Sequence, residues 1–143
     1  MRIKLYIVSL FLLSGMLFAE NTLSLEDNGD DTWNVNYSSD KDIRNFSFSV
    51  EGTSIKNISH GVTRSKEFWI DAMGSYVNGF STTGESIAAG QGVMVVLHLL
   101  SVPTGLSNIY ITDSKLHTHI YDDASKNMTN MQKTLFYLFL NVM

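Results

Sequence analysis

The sequence predicts an all-β fold: a two-sheet antiparallel β-sandwich of jelly-roll type, with about eight or nine strands, preceded by a signal peptide. Three observations predict it. Apolar residues after the first twenty recur with period two in short runs, broken by clusters of Gly, Asn, Asp and Ser, and helical spacing is nearly absent. The chain contains no cysteine, so packing and not disulfides must hold the fold. Beyond the leader, the chain has the size of one ordinary domain, enough to bury a core without covalent staples.

The leader comes first. MRIKLYIVSLFLLSGMLFAEN sets Arg2 and Lys4 before an apolar run from Leu5 to Phe18 and ends on the small residue Ala19. That is the pattern of a secretory signal peptide cut after Ala19, and the run is shorter than the roughly 20 apolar residues a spanning helix needs. Residues 1–19 are read as the signal, 20–121 as the sandwich and 122–143 as a C-terminal tail or last strand. The expected location is extracellular, secreted or at the cell surface, with no membrane span once the signal is removed and no cysteine to carry a lipid.

The strands come next, in chain order. Glu26 to Asp31, EDNGDD, reads as a hairpin or loop, with Gly29 free to take positive φ. From Thr32 to Tyr37, Trp33, Val35 and Tyr37 share one face and Asn34 and Asn36 the other. After the turn SSDKD, Phe46, Phe48 and Val50 alternate with Ser47 and Ser49, giving an apolar face backed by small hydroxyls. Glu67–Ile70 and Ser75–Phe80 read as strands separated by DAMG. In the first of them, placing Phe68 and Ile70 in the core turns Trp69 outward. The loop from Ser81 to Gly92 leads into Val93–Leu100, apolar on both faces as a central strand is. Pro103 marks the next break, and Ile109 and Ile111 face one way in the strand after it. In the following segment Leu116, Thr118 and Ile120 are expected inside, with His117, His119 and Tyr121 outside. Thr134–Met143 is strongly apolar, too short to cross a bilayer as a helix, and is read as a last strand pairing near the first.

Several functions are excluded or disfavoured by the residues the chain carries. Acids outnumber Lys and Arg by 14 to 10, and the loss of Arg2 and Lys4 with the signal widens the gap, so phosphate backbones are repelled and no nucleic-acid partner is expected. No serine sits in a G-x-S-x-G elbow, no histidines stand at H-E-x-x-H spacing, and no glycine-rich phosphate loop opens a helix, so no enzyme is expected.

Candidate binding residues remain. Trp69, Tyr76 and Tyr110 are aromatic anchors if they face outward, able to stack on a sugar ring or to fill a pocket on a protein. His117, His119 and Tyr121 form a row on one strand face, either a rim of a binding surface or a pair of imidazoles that a transition metal could share with Asp113, Asp122 or Asp123. Asp27, Asn28, Asp30 and Asp31 gather the oxygen donors that calcium prefers, in an order that departs from the EF-hand loop; calcium is the one cofactor the sequence raises. Sequons begin at Asn36, Asn45, Asn57 and Asn127 and matter only in a host that glycosylates them.

Three segments carry a family resemblance: IRNFSFSVEG, then SYVNGFSTTGESIAAGQGVMVVLHL, then GLSNIYITDSKL. Together they resemble the cohesin-like β-sandwich modules of extracellular bacterial proteins, which share an architecture with one group of carbohydrate-binding modules. The shared features are a strand of alternating aromatics, a glycine-bounded loop from Gly84 through Ile87 and Gly90 to Gly92, the apolar strand Val93–Leu100, and Gly105 to Asp113. The likeness runs from Leu23 to Leu116. It implies a secreted non-catalytic binding module acting in protein–protein interaction or adhesion. The alternative is a carbohydrate-binding module for an extracellular polysaccharide. A third class, a subunit of a surface layer or filament, would use the apolar tail for assembly.

Overall fold

Along the strand Asn45–Glu51, Phe46, Phe48 and Val50 are buried while Asn45, Ser47 and Ser49 are not. This alternation, repeated through the chain, builds two sheets that close on one core. The computed structural model describes residues 21–125, together with Leu135, Leu138 and Asn141. Its strands are β1 (Thr22–Asp27), β2 (Thr32–Ser39), β3 (Asn45–Glu51), β4 (Ile55–His60), β5 (Phe68–Met73), β6 (Tyr76–Ser81), β7 (Gly90–Leu99), β8 (Gly105–Thr112), β9 (Thr118–Ile120) and β10 (Asp122–Asp123). A single 3-10 turn, Val62–Arg64, joins β4 to β5.

One sheet runs in the order β10-β1-β2-β7-β4 and the other β5-β6-β3-β8-β9. Every pairing is antiparallel except the short parallel one between β1 and β10. The chain is therefore the all-β, two-sheet sandwich that its period-two pattern predicts. β7, apolar on both faces, lies between β2 and β4, the position its composition suits.

Leu23, Val35, Met94, Val95 and Leu97 from the first sheet meet Phe46, Phe48, Val77, Leu106 and Ile111 from the second. The Phe46 ring stacks on Phe48 and on Phe68 with centroids 6.3 and 6.1 Å apart. Directly across from Phe46 in the register is Gly79. A Cβ there would lie 2.3 Å from the ring, so the missing side chain makes the space the ring fills. At β3–β8 the register shifts between Ser47 and Ser49, and Asn108 takes φ 50°, a left-handed conformation that Asn tolerates better than most residues.

β4 is a strand that alternation does not mark. Its register against β7 shifts between Ile55 and Asn57, so Ile55 and Ile58 fall three apart and the period-two signal breaks.

The phase expected near β9 is reversed. Leu116 and Ile120 are exposed, and Tyr121, placed outside by the sequence reading, is buried. Register explains the reversal: Ile111 is a core residue and pairs with His119, so His119 and Tyr121 share its side of the sheet and Thr118 and Ile120 share that of Tyr110. The strand expected over Thr134–Met143 lies largely outside the described residues. Leu135, Leu138 and Asn141, which are described, have helical backbone.

Candidate functional site

The outward positions of β5, β6, β3, β8 and β9 fall into three transverse rows fixed by the register. The first is Trp69, Phe80, Asn45, Thr112 and Thr118. Beside it run Asp71, Asn78, Ser47, Tyr110 and Ile120, and then Met73, Tyr76, Ser49 and Ser107. Small polar side chains on β3 thus form a low floor. On one side stand Trp69, Met73, Tyr76 and Phe80; on the other stand Tyr110 and Ile120.

All six of those large apolar side chains are exposed, Met73 at 77 % and Ile120 at 78 %. Trp69 and Phe80 face each other across β5 and β6 with ring centroids 5.1 Å apart and planes tilted by 33°. That contact fixes two large planar groups in place at little further entropic cost on binding. Thr112 and Thr118 share a hydroxyl hydrogen bond of 3.1 Å at the end of the first row.

Of the residues singled out in the sequence, Trp69, Tyr76 and Tyr110 lie on this face and are exposed. Met73, Phe80 and Ile120 belong with them and were not singled out. For Met73 and Phe80 the signal was present, since each shares the parity of an anchor on its own strand; for Ile120 it was hidden by the phase error.

The histidine row is not a row in space with Tyr121 outermost. Asp113 closes the β8–β9 hairpin. Its Oδ1 accepts the backbone N–H of Lys115 at 2.9 Å and of His117 at 3.0 Å, and its Oδ2 lies 2.9 Å from His119 Nε2. His117 Nδ1 stands 4.0 Å from the same oxygen, on a side chain that is largely exposed. These donors, that of His119 first, hold the Asp113 carboxyl down to about 2. Ser39 Oγ donates to the Lys41 carbonyl, so the 2.5 Å contact between Ser39 Oγ and the Tyr121 hydroxyl is donated by the tyrosine. Burial raises the pKa of that phenol. Tyr121 is therefore a core residue with a satisfied hydroxyl and not a surface contact.

Several groups of the oxygen-rich turn between β1 and β2 are hydrogen-bonded within it and to β2. Asp27 Oδ1 accepts Gly29 N–H at 2.8 Å, Asp30 accepts both the N–H and the hydroxyl of Thr32, and Asn28 Nδ2 donates to Asn34 Oδ1 at 2.9 Å. Asp27 and Asp31 border a small open cavity of about 190 Å³ whose walls include Trp33 and Leu99. Trp33, in phase with the buried Val35 and Tyr37, is half-buried at its margin and packs against the core. Among the described residues no three His, Asp or Glu side chains are grouped to hold a metal ion. Nor, among them, is any helix long and apolar enough to cross a membrane.

No family model and no curated protein matches the chain. Among solved structures it is similar to a non-cellulosomal cohesin from the hyperthermophilic archaeon Archaeoglobus fulgidus, with 16 % identity, a TM-score of 0.49, and coverage of 71 % of this chain and 84 % of that one.

Proposed function

We propose that this protein is a secreted, non-catalytic binding module that engages a protein partner through the outer face of the β5-β6-β3-β8-β9 sheet, in adhesion or assembly at the cell surface. The observation that carries the reading is the gathering of Trp69, Met73, Tyr76, Phe80, Tyr110 and Ile120, all exposed, on that one face. Clustered exposed apolar side chains gain nothing from water and mark surfaces that another molecule covers. Met73 and Ile120, the most exposed of the six, are aliphatic and have no flat ring to stack on a sugar. Around a hydroxyl and amide floor they suit the mixed apolar and polar surface of a protein. Secretion rests on the N-terminal sequence, which lies outside the described residues.

A polysaccharide is the second reading, favoured by Trp69 and Tyr76 standing beside Asp71 and Asn78 on the same face. One comparison separates the two. The purified chain and its Trp69→Ala and Ile120→Ser variants are presented to insoluble polysaccharides and, separately, to a cell-surface protein extract. The protein reading expects a protein retained by the parent chain and lost in both variants, with no retention on glycans. Saturable retention on one glycan that Trp69→Ala abolishes and Ile120→Ser spares would replace it with the carbohydrate reading.

A further inference from the structure

The five strands of the proposed binding sheet contain no Lys and no Arg. Their acids are Asp71 in β5 and Glu51 at the end of β3. Asp71 is exposed at the β5 end of the second transverse row, between Trp69 and Met73 on its own strand and beside Asn78 on the next. Among the described residues its carboxylate has no ion-pair partner and no side-chain hydrogen bond, in contrast to Asp113, which accepts through both oxygens, and to Asp30 and Asp27, which each accept through Oδ1.

We infer that the partner of this face presents a basic side chain flanked by apolar ones, and that Asp71 is the residue that selects it. The inference rests on the binding role proposed for the face. Covering the Trp69–Met73 margin would remove water from the Asp71 carboxylate, and an acid desolvated without a counter-charge opposes association. A lysine or arginine resolves this conflict. Its aliphatic stem lies along Met73, its head reaches the carboxylate, and the Trp69 indole, two residues along the same face, offers a π surface to the same cation. An acidic partner meets repulsion at Asp71, because none of the five strands carries a Lys or Arg to answer it.

The test uses immobilised synthetic peptides in three matched series that keep the same apolar positions and carry lysine, serine or glutamate at the others. The purified full chain is expected to hold the lysine series about tenfold more tightly than the serine series, to ignore the glutamate series, and to lose its lysine preference as salt is raised. Asp71→Asn, an isosteric change at an exposed position, should bring the lysine series down to the serine level. Glu26→Gln on the opposite sheet, which removes the same charge, should not. A lysine preference that survives Asp71→Asn, or that Glu26→Gln reduces equally, overturns the role of Asp71 and leaves only general attraction to an acidic protein. Equal binding of all three series that Trp69→Ala abolishes defeats the basic partner but spares the binding face. Retention that Trp69→Ala leaves unchanged, or no retention of any series, overturns both.

Discussion

The two outer faces of the sandwich are made by the same alternation and differ in almost everything else. On the sheet containing β1, β2 and β7, the outward positions of β1 and β2 hold Thr22, Ser24, Glu26, Thr32, Asn34, Asn36 and Ser38, and those of the central β7 add the half-buried Val93, Val96 and His98. These groups answer one another: Asn34 Nδ2 donates to Glu26 Oε1 at 2.9 Å, and Asn34 Oδ1 accepts from Asn28. On the other sheet the same kind of position holds Trp69, Met73, Tyr76, Phe80, Tyr110 and Ile120. Both sheets contribute fully buried inward residues, Leu23, Val35 and Val95 on one and Phe48, Val77 and Ile111 on the other, so the core requires neither pattern outside. The β1 and β2 margin of the polar face is satisfied in water and the valines of β7 beside it are half-buried, whereas the large exposed side chains of the other face are in excess of what folding needs. That excess is the physical basis for assigning function to it.

The comparison breaks most completely when the shared core fails. Phe46→Ala removes the ring that stacks on both Phe48 and Phe68, and it should cost about 3–5 kcal/mol of unfolding free energy in urea titration, with both faces lost together. Gly79→Ala approaches the same ring from the neighbouring strand. A Cβ 2.3 Å from the Phe46 ring forces the phenyl or the backbone to shift, and about 1–3 kcal/mol of destabilisation is expected. A variant as stable as the parent would mean that β6 slides more freely over the core than its register indicates.

Outer-face substitutions sharpen the contrast. Trp69→Ala loses the contact with Phe80 and should cost about 1 kcal/mol of stability, while weakening partner binding by about 2 kcal/mol or more, chiefly through faster dissociation. Asn36→Ser, at the corresponding kind of position on the polar face, should change stability by no more than about 0.5 kcal/mol and leave binding untouched. Equal losses of binding in the two variants would show that the apolar face has no special role.

Much of this division was legible in the sequence. The strict alternation of β3, the in-phase Trp33, Val35 and Tyr37, and the doubly apolar β7 each fixed a strand and the side it buries, because period two leaves little freedom once one face must be dry. Placing Phe68 and Ile70 inside sufficed to put Trp69 outside. The features that stayed concealed depended on geometry between strands. The bulge at Ile55 and Asn57 erased the alternation of β4, and the run Leu116 to Tyr121 has apolar residues in both phases, so only pairing with β8 decides which set is buried. That pairing moved Ile120 onto the functional face and Tyr121 off it. The rows across β5, β6, β3, β8 and β9 were also out of reach, since strand order is not written in any one strand.

The smallest effect expected is local and depends on acid. Asp113 sets the hairpin that brings Ile120 beside Tyr110, and its carboxyl is held at about 2 by His119 and two backbone N–H donors, below the ordinary 3.8. A carboxyl whose pKa is lowered by folding adds stability that is fully present above the unfolded value and fades as pH falls through the folded one. The contribution of Asp113 should therefore be intact above about pH 4 and gone near pH 2. Asp113→Asn keeps one oxygen for the backbone donors but offers His119 an amide in place of a carboxylate. The parent chain should exceed this variant in stability at about pH 5, and the gap should close as both are titrated toward about pH 2. Hydrogen exchange at the β9 amides would place the change in the hairpin. A gap that stays constant with pH would mean that the hairpin is held by its strand pairing alone, and that the position of Ile120 on the binding face owes nothing to the Asp113 charge.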